Sequence, residues 1–276
     1  MDVLTPYSLD EALEVRFTHP EATPVAGGTD LMVDLNARRL QPTALLDLSH
    51  VDELGTWQKE SGTVFVGAGM TFARIARELT EFPPLADAAR SVASPQIRNR
   101  ATIGGNLATA SPAGDSIPAL AAYDADVVVA SSKTGMRRVP LGEFLVGPKR
   151  TSLAPDELIV GVEWQSVTRP GSFVKIGRRN AMVIAVASAC LQVDDEWHGV
   201  RLALGSVGPT VLRARHAEEF AEDLDWSDPA TLVEFGRLAA AETQPIDDRR
   251  GSAAYRRHVV EVLARRLLAQ AEKARC

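Results

Sequence analysis

Three short segments hold the residue types that could do chemistry: AGGTDL at 26–31, GAGMT at 67–71 and TIGGN at 102–106. Each adjoins an apolar run that reads as a strand. Glycine lets the backbone come close to a ligand and accepts positive φ. Successive N–H groups exposed in such turns form concavities for anions, and a diphosphate is the natural guest. The side chains nearby suit a ligand that also carries hydroxyls. Thr29, Thr102, Thr109 and Ser111 can donate to phosphate, Asn106 can donate and accept, and Asp115 can accept from polyol or ribose hydroxyls. Asp115 has a second reading, as N-cap of a helix starting near Ile117.

Other chemistries find no support. Gly67-Ala68-Gly69 begins like a dinucleotide fingerprint, but Phe72 stands where the third glycine belongs, and no P-loop is present. Taken alone, a single glycine loop reads as a structural turn. No catalytic triad or paired-carboxylate site stands out, so no catalytic residue is assigned. The two cysteines, Cys190 and Cys276, form no CxxC, so the chain has no zinc ribbon or iron–sulfur cluster of its own and no metal ligands are assigned. Cys190 lies in the apolar run VIAVASACLQV and reads as a small buried hydrophobe. A net charge of −6 argues against nucleic acid as a partner. The pairs Arg137-Arg138, Arg178-Arg179, Arg249-Arg250 and Arg256-Arg257 read mainly as solvated surface charge. The acidic start MDVLTPYSLDEALEV lacks the apolar core of a signal peptide. No apolar run reaches the ~20 residues of a membrane span. A cytoplasmic protein is expected.

The elements that must position these loops follow from patterning. Ser8 to Glu11 reads as a capping box opening a helix through about Arg16. A strand at 24–26, a helix over 29–39 with Leu31, Val33 and Leu35 as its apolar surface, and a strand at 44–49 complete a small β-α-β-like unit. Further strands are predicted at 63–69, 126–131 and 157–164. A helix over 72–80 puts Phe72, Ile75, Ala76 and Leu79 on one face. Thr168-Arg169-Pro170-Gly171 punctuates the chain. After it come three strand-like runs and then helices, the last over 255–274 with a stripe of Val259, Val260, Leu263, Leu267 and Leu268. This order suggests an α+β unit.

PVAGGTDL, SPQIRNRATIGGNLATASPAGDSIPAL, FVKIGRR and PIDDRRGSAAYRRHVVEVLARRLL occur in the right order over almost the whole chain. Together they resemble the FAD-binding medium subunit of the molybdenum hydroxylases, the family of xanthine dehydrogenases, bacterial carbon monoxide dehydrogenase and nicotine dehydrogenase. The resemblance implies an α+β fold. Residues 1–170 would be a two-subdomain FAD-binding domain of the vanillyl-alcohol-oxidase (PCMH) type, with subdomains of about 1–53 and 54–170. Residues 171–276 would be the CO dehydrogenase flavoprotein-like C-terminal domain, a three-stranded sheet with helices. It implies noncovalent FAD held between the subdomains. By position, Ala26, Gly27, Gly28, Thr29 and Asp30 match the family's first diphosphate loop, and Thr102, Gly104, Gly105 and Asn106 its second. Asp115 matches a hydroxyl-binding aspartate, Ile159 an aliphatic residue packed on the cofactor, and Lys175 a lysine reaching the site from the C-terminal domain.

The function implied is electron transfer. A large partner subunit would hold the molybdenum cofactor and a small one the 2Fe–2S clusters, in a dimer of heterotrimers. Electrons would pass through FAD to NAD, dioxygen or another acceptor. The cysteine-rich insertion of the 4-hydroxybenzoyl-CoA branch is absent, and no histidine falls in a flavin-tethering motif. Two alternatives remain: a self-contained FAD-dependent reductase of the same fold, and a non-enzymatic binding or assembly protein that has lost FAD.

Overall fold

The computed structural model describes residues 1–196 and 198–275; Cys276 lies outside them. Its strands are β1 (Asp2–Leu4), β2 (Thr23–Val25), β3 (Ala44–Asp47), β4 (Trp57–Glu60), β5 (Thr63–Gly67), β6 (Asp126–Ser131), β7 (Gly135–Pro140), β8 (Leu145–Gly147), β9 (Arg150–Thr151), β10 (Leu158–Gln165), β11 (Gly171–Ile176), β12 (Ala187–Val193), β13 (Val200–Gly205) and β14 (Leu212–Arg213). Its helices are α1 (Leu9–Thr18), α2 (Leu31–Asn36), α3 (Phe72–Glu78), α4 (Pro83–Ser91), α5 (Pro95–Arg98), α6 (Ile103–Thr109), α7 (Ser116–Ala122), α8 (Leu141–Phe144), α9 (Arg215–Ala221), α10 (Pro229–Ala241) and α11 (Ala253–Arg275). The chain forms two compact units, neither contiguous in sequence. One comprises Met1–Arg74, Pro95–Ala110 and Ala125–Ser166; the other comprises Ile75–Ser94, Ser111–Asp124 and the chain from Val167 onward.

The first unit opens with a parallel sheet in the order β1-β3-β2, connected through α1 and α2. Ser8 caps α1, its hydroxyl accepting from the Glu11 N–H at 3.2 Å. The Glu11 carboxylate accepts from the N–H of Tyr7 at 2.8 Å, one residue before the position a capping box uses. Helix α2 is shorter than its apolar pattern suggests. Thr29 and Asp30 form a turn, none of the helical residues is buried, and Met32 and Val33 are exposed. A second, antiparallel sheet has the order β4-β5-β10-β6-β7. Its middle strand β10 is buried from Leu158 to Val162, and a register shift between Ile159 and Gly161 interrupts its pairing with β6.

The second unit holds the three expected strands, antiparallel and in the order β11-β12-β13, with the two-residue β14 added at the edge. Strand β12 is buried along its whole length. The period of two in a strand divides its side chains. Ala187, Ala189, Leu191 and Val193 join the apolar core formed with α9, α10 and α11. On the other face, a Cβ added at Gly205 would meet Ser188 Oγ and Pro118 of α7, and one at Gly171 would meet Gln192 and Pro84 of α4. Helix α7 is buried at all seven residues.

Helix α11 buries its predicted stripe, and also Arg256, which belongs to a pair read as surface charge. The Arg256 guanidinium donates to the carbonyls of Val186 and Ser206 and to Asp248 Oδ1. These acceptors make its burial tolerable. Arg257 is exposed. Arg137 is exposed but held bidentately by the buried Glu157, at 2.6 and 2.8 Å. Among the described residues no helix is long and apolar enough to cross a membrane.

Candidate cofactor-binding site

In the first unit, AGGTDL and TIGGN come together. Gly27 lies so close to the backbone of Arg100 and Ala101 that a Cβ there would collide with the Arg100 carbonyl. Gly28 adopts φ +72°, a conformation that favours glycine. Thr109 Oγ1 donates to Asp30 Oδ2 at 3.3 Å, tying the far end of α6 to the same loop. Among the described residues, the backbone N–H groups of Gly27, Gly28, Thr29 and Asp30 make no hydrogen bond within the chain. Four consecutive unspent donors in a partly exposed turn are a ready anion cradle.

The second loop spends its donors differently. Thr102 is the N-cap of α6, and its Oγ1 accepts from the Gly105 N–H at 3.0 Å. The N–H groups of Ile103 and Gly104 donate to Met70 O and Ala68 O at 3.0 and 2.9 Å. Asn106 N–H donates to Thr102 O at 3.0 Å. The start of α6 is therefore satisfied internally, and a ligand would meet its side chains and its bare surface. The two glycines divide the work. A Cβ on the buried Gly104 would lie 2.6 Å from Ala68 Cβ, so this glycine serves packing. Gly105 is exposed, and a Cβ there would meet only Thr102 Oγ1, at 3.1 Å. It leaves open space over α6.

GAGMT is the platform beneath this arrangement. Gly69 N–H donates to Leu54 O, Ala68 N–H to Val160 O, and Ala68 O accepts from Gly104. It behaves as a structural turn linking α6 to β10, where Ile159 is buried next to Val160. That support also involves Leu54, which lies in no motif, and the backbone carbonyls of Ala68 and Arg100.

In the second unit, Asp115 occupies the N-cap position of α7 but makes no side-chain cap hydrogen bond. Its carboxylate turns to Lys175 of β11, with Oδ2 accepting from Nζ at 2.6 Å. Lys175 Nζ also donates to Ser91 O at 2.7 Å and Val183 O at 3.2 Å. Both side chains are buried, at 9% and 10% relative exposure. Asp115 Oδ1 is buried and has no hydrogen-bond partner among the described residues. Burial pushes the Asp115 carboxyl up to about 6, opposed by the Lys175 charge. Asp115 thus pairs with Lys175 instead of capping its helix. The carbonyls of Ser91 and Val183 complete the arrangement without any sequence signal, because a backbone acceptor can belong to any residue. Burial also pushes the Cys190 thiol far up, which makes it inert. Among the described residues no cluster of three His, Cys, Asp or Glu side chains could hold a metal ion.

Comparison with known proteins now bears on this geometry. Residues 1–164 match the FAD binding domain in molybdopterin dehydrogenase, and residues 172–271 match the CO dehydrogenase flavoprotein C-terminal domain. The chain belongs to the FAD-binding subunit family of the molybdenum hydroxylases. This family of oxidoreductase subunits includes a putative xanthine dehydrogenase FAD-binding subunit of Escherichia coli, 30% identical over 96% of this chain and 93% of that protein. The nicotine 6-hydroxylase medium subunit of Paenarthrobacter nicotinovorans is 31% identical over 97% and 95%. Carbon monoxide dehydrogenase from Hydrogenophaga pseudoflava, in a form lacking the Mo-pyranopterin moiety of its cofactor, superposes with a TM-score of 0.91 at 28% identity, covering 100% of this chain and 98% of that one. Within the first unit the residues present fit an FAD-binding family: unspent N–H groups at 27–30 and open space at Gly105.

Proposed function

We propose that this chain is the FAD-carrying electron-transfer subunit of a molybdenum hydroxylase complex. The observation that carries the reading is the loop from Ala26 to Asp30. Gly27 holds it against Arg100–Ala101 while the N–H groups of Gly27 to Asp30 stay unspent. These groups would hold the FAD diphosphate noncovalently, with no basic side chain in the loop. Gly105 would leave room for close approach. Thr102 and Asn106 would orient the phosphates, since a hydroxyl that accepts one hydrogen bond can still donate another. Asp115 Oδ1 would accept from a cofactor hydroxyl, and Ile159 would supply aliphatic surface. Gly28, Gly104 and Lys175 would shape these groups from behind. Bound there, the flavin supplies the redox chemistry, taking electrons from 2Fe–2S clusters and passing them to NAD, dioxygen or another acceptor.

The partners in this reading are a small 2Fe–2S subunit and a large molybdopterin subunit, in a cytoplasmic dimer of heterotrimers. Relatives named as medium subunits and complex subunits support it. The test begins with the purified chain and FAD. Flavin fluorescence should be quenched with micromolar or tighter affinity, and FAD at 100 times its Kd should stabilise the fold by about 2.7 kcal/mol. A colourless chain with no quenching and no thermal shift would overturn the proposal. Co-purification of molybdenum, iron and two further chains from the native host would establish the assembly.

A further inference from the structure

Two loops of the second unit hold exposed charge and exposed apolar surface side by side. One spans residues 177–186, between β11 and β12; the other is the segment 244–252 that leads into α11. They touch. Arg178 Nη1 donates to Arg249 O at 3.1 Å, and a Cβ added at Gly251 would lie 3.2 Å from Val186 Cγ1. The contact brings together Arg178, Arg179, Arg249 and Arg250, and all four are exposed. Arg178 and Arg179 bond to the carbonyls of Arg249 and Met182. A carbonyl has no net charge, so these bonds leave both guanidinium charges in place. The acidic residues of the two loops are Asp247 and Asp248, and Asp248 is shared between Arg250 and the buried Arg256. The face is therefore basic on a chain whose net charge is −6.

Met182 and Ile184 lie in the first loop, 55% and 54% exposed. Met182 also adopts φ +49°, a conformation that suits Gly or Asn better than an apolar side chain. A methionine that is neither buried nor in a favoured backbone conformation adds little to the stability of its own chain. Backbone strain of this kind collects where a surface meets a ligand or a partner. Apolar groups rimmed by arginines have the composition of a protein interface, in which Met and Arg are enriched.

We infer that the face formed by these two loops is the docking surface for an acidic face, apolar at its centre, of the small 2Fe–2S subunit, a reading that rests on the function proposed above. Charge selects the sign of the partner. The chain as a whole repels an acidic protein, whereas this face attracts it, and the contrast orients the encounter. Position selects the subunit. Lys175, which stands behind the cofactor groups in the proposed function, donates to Val183 O inside the first loop at 3.2 Å. Electron transfer weakens steeply with distance, so the subunit seated here is the one that delivers electrons.

The test immobilises the full chain loaded with FAD and follows binding of the small subunit purified from the native host. Association with the native chain should slow as salt rises from about 0.1 M to 1 M, because the screening length falls from ~10 Å to ~3 Å. Arg249→Glu should associate about tenfold more slowly at the lower salt and like the native chain at the higher. Met182→Asn and Ile184→Asp should dissociate about tenfold faster. Met182→Asn relieves the backbone conformation, so its thermal midpoint should be no lower than native. Docking lost while stability is kept is a result that a structural methionine would not give. Val233→Asp, at another exposed apolar position on α10, should bind as the native chain does. Native rates in all three loop variants, native binding that ignores salt, or equal weakening by Val233→Asp would overturn the inference. So would variants that hold the small subunit normally but lose the large one, and so would a chain that sediments as a dimer which Ile184→Asp splits, since either result assigns the face to a different occupant. A native chain that binds no small subunit at either salt defeats the functional reading and this inference together, whereas native binding that the loop variants leave unchanged defeats the inference alone.

Discussion

The GG pair at 104–105 separates two uses of one residue type. Gly104 is closed in by Ala68, so Gly104→Ala forces the platform loop to shift, an overpacking cost of about 1–3 kcal/mol. Gly105 faces open space apart from one hydroxyl. Gly105→Val should leave urea stability within about 0.5 kcal/mol of native and weaken FAD binding, because its branch occupies the surface the cofactor would approach. Equal loss of stability in both variants, or unchanged affinity in Gly105→Val, would contradict this. Asp115 makes a second prediction from the FAD-free chain. Its folded pKa of about 6 lies above the ordinary aspartate value of 3.8. Between those values the folded state holds a proton that the unfolded state has released. Its contribution is therefore present below about pH 4 and is lost as pH rises through 6, by on the order of 3 kcal/mol. Denaturation at pH 4 and pH 7 should show the native chain losing stability relative to Asp115→Asn. A difference that stays constant with pH would refute it.

At the scale of elements, strong local patterns were legible and long-range roles were not. The stripe of α11, the buried face of α3 and the runs of β6, β10 and β12 follow directly from periodicity. Helix α2 shows the limit: Leu31, Val33 and Leu35 read as its apolar surface, yet none of its residues is buried. The site divides in the same way. Gly27 could be read as a point of close backbone approach, because a Cβ there would collide with the Arg100 carbonyl. The direction of each N–H could not, since Ala68 accepts from Gly104 across a gap of 36 positions. Arg256-Arg257 gives this a measurable form. Arg256 is buried with three acceptors, so Arg256→Ala leaves Asp248 and two carbonyls without their donor. Breaking such a set costs about 3–5 kcal/mol. Arg257 is exposed, and Arg257→Ala should stay within about 0.5 kcal/mol. Urea unfolding of the two alanine variants should differ by several-fold in this effect; similar values would show that Arg256 is not the anchor.

For the whole molecule, the family boundary near residue 170 and the compact units answer different questions. Residues 172–271 match a C-terminal domain model, yet the unit containing them also takes Ile75–Ser94 and Ser111–Asp124 from the earlier sequence. Those stretches supply α4 and α7, and the reason they are needed lies in β12. Its odd-numbered residues face the core built with α9 to α11, all encoded after residue 166. Its even-numbered residues, Ser188, Cys190 and Gln192, are just as buried but have their cover from Pro84 and Pro118. A fragment from Val167 onward would keep one face of its sheet packed and expose the other to water. That exposure removes the burial of a central strand and of a helix hidden at all seven residues, and hydrophobic burial is the main favourable contribution to folding. Expressed alone, the fragment should bind a hydrophobic dye and unfold without a cooperative transition. Adding peptides of residues 75–94 and 111–124, which carry α4 and α7, should reduce the dye binding of that fragment. A sharp thermal transition in the fragment alone would show that α4 and α7 cover a sheet already able to stand without them.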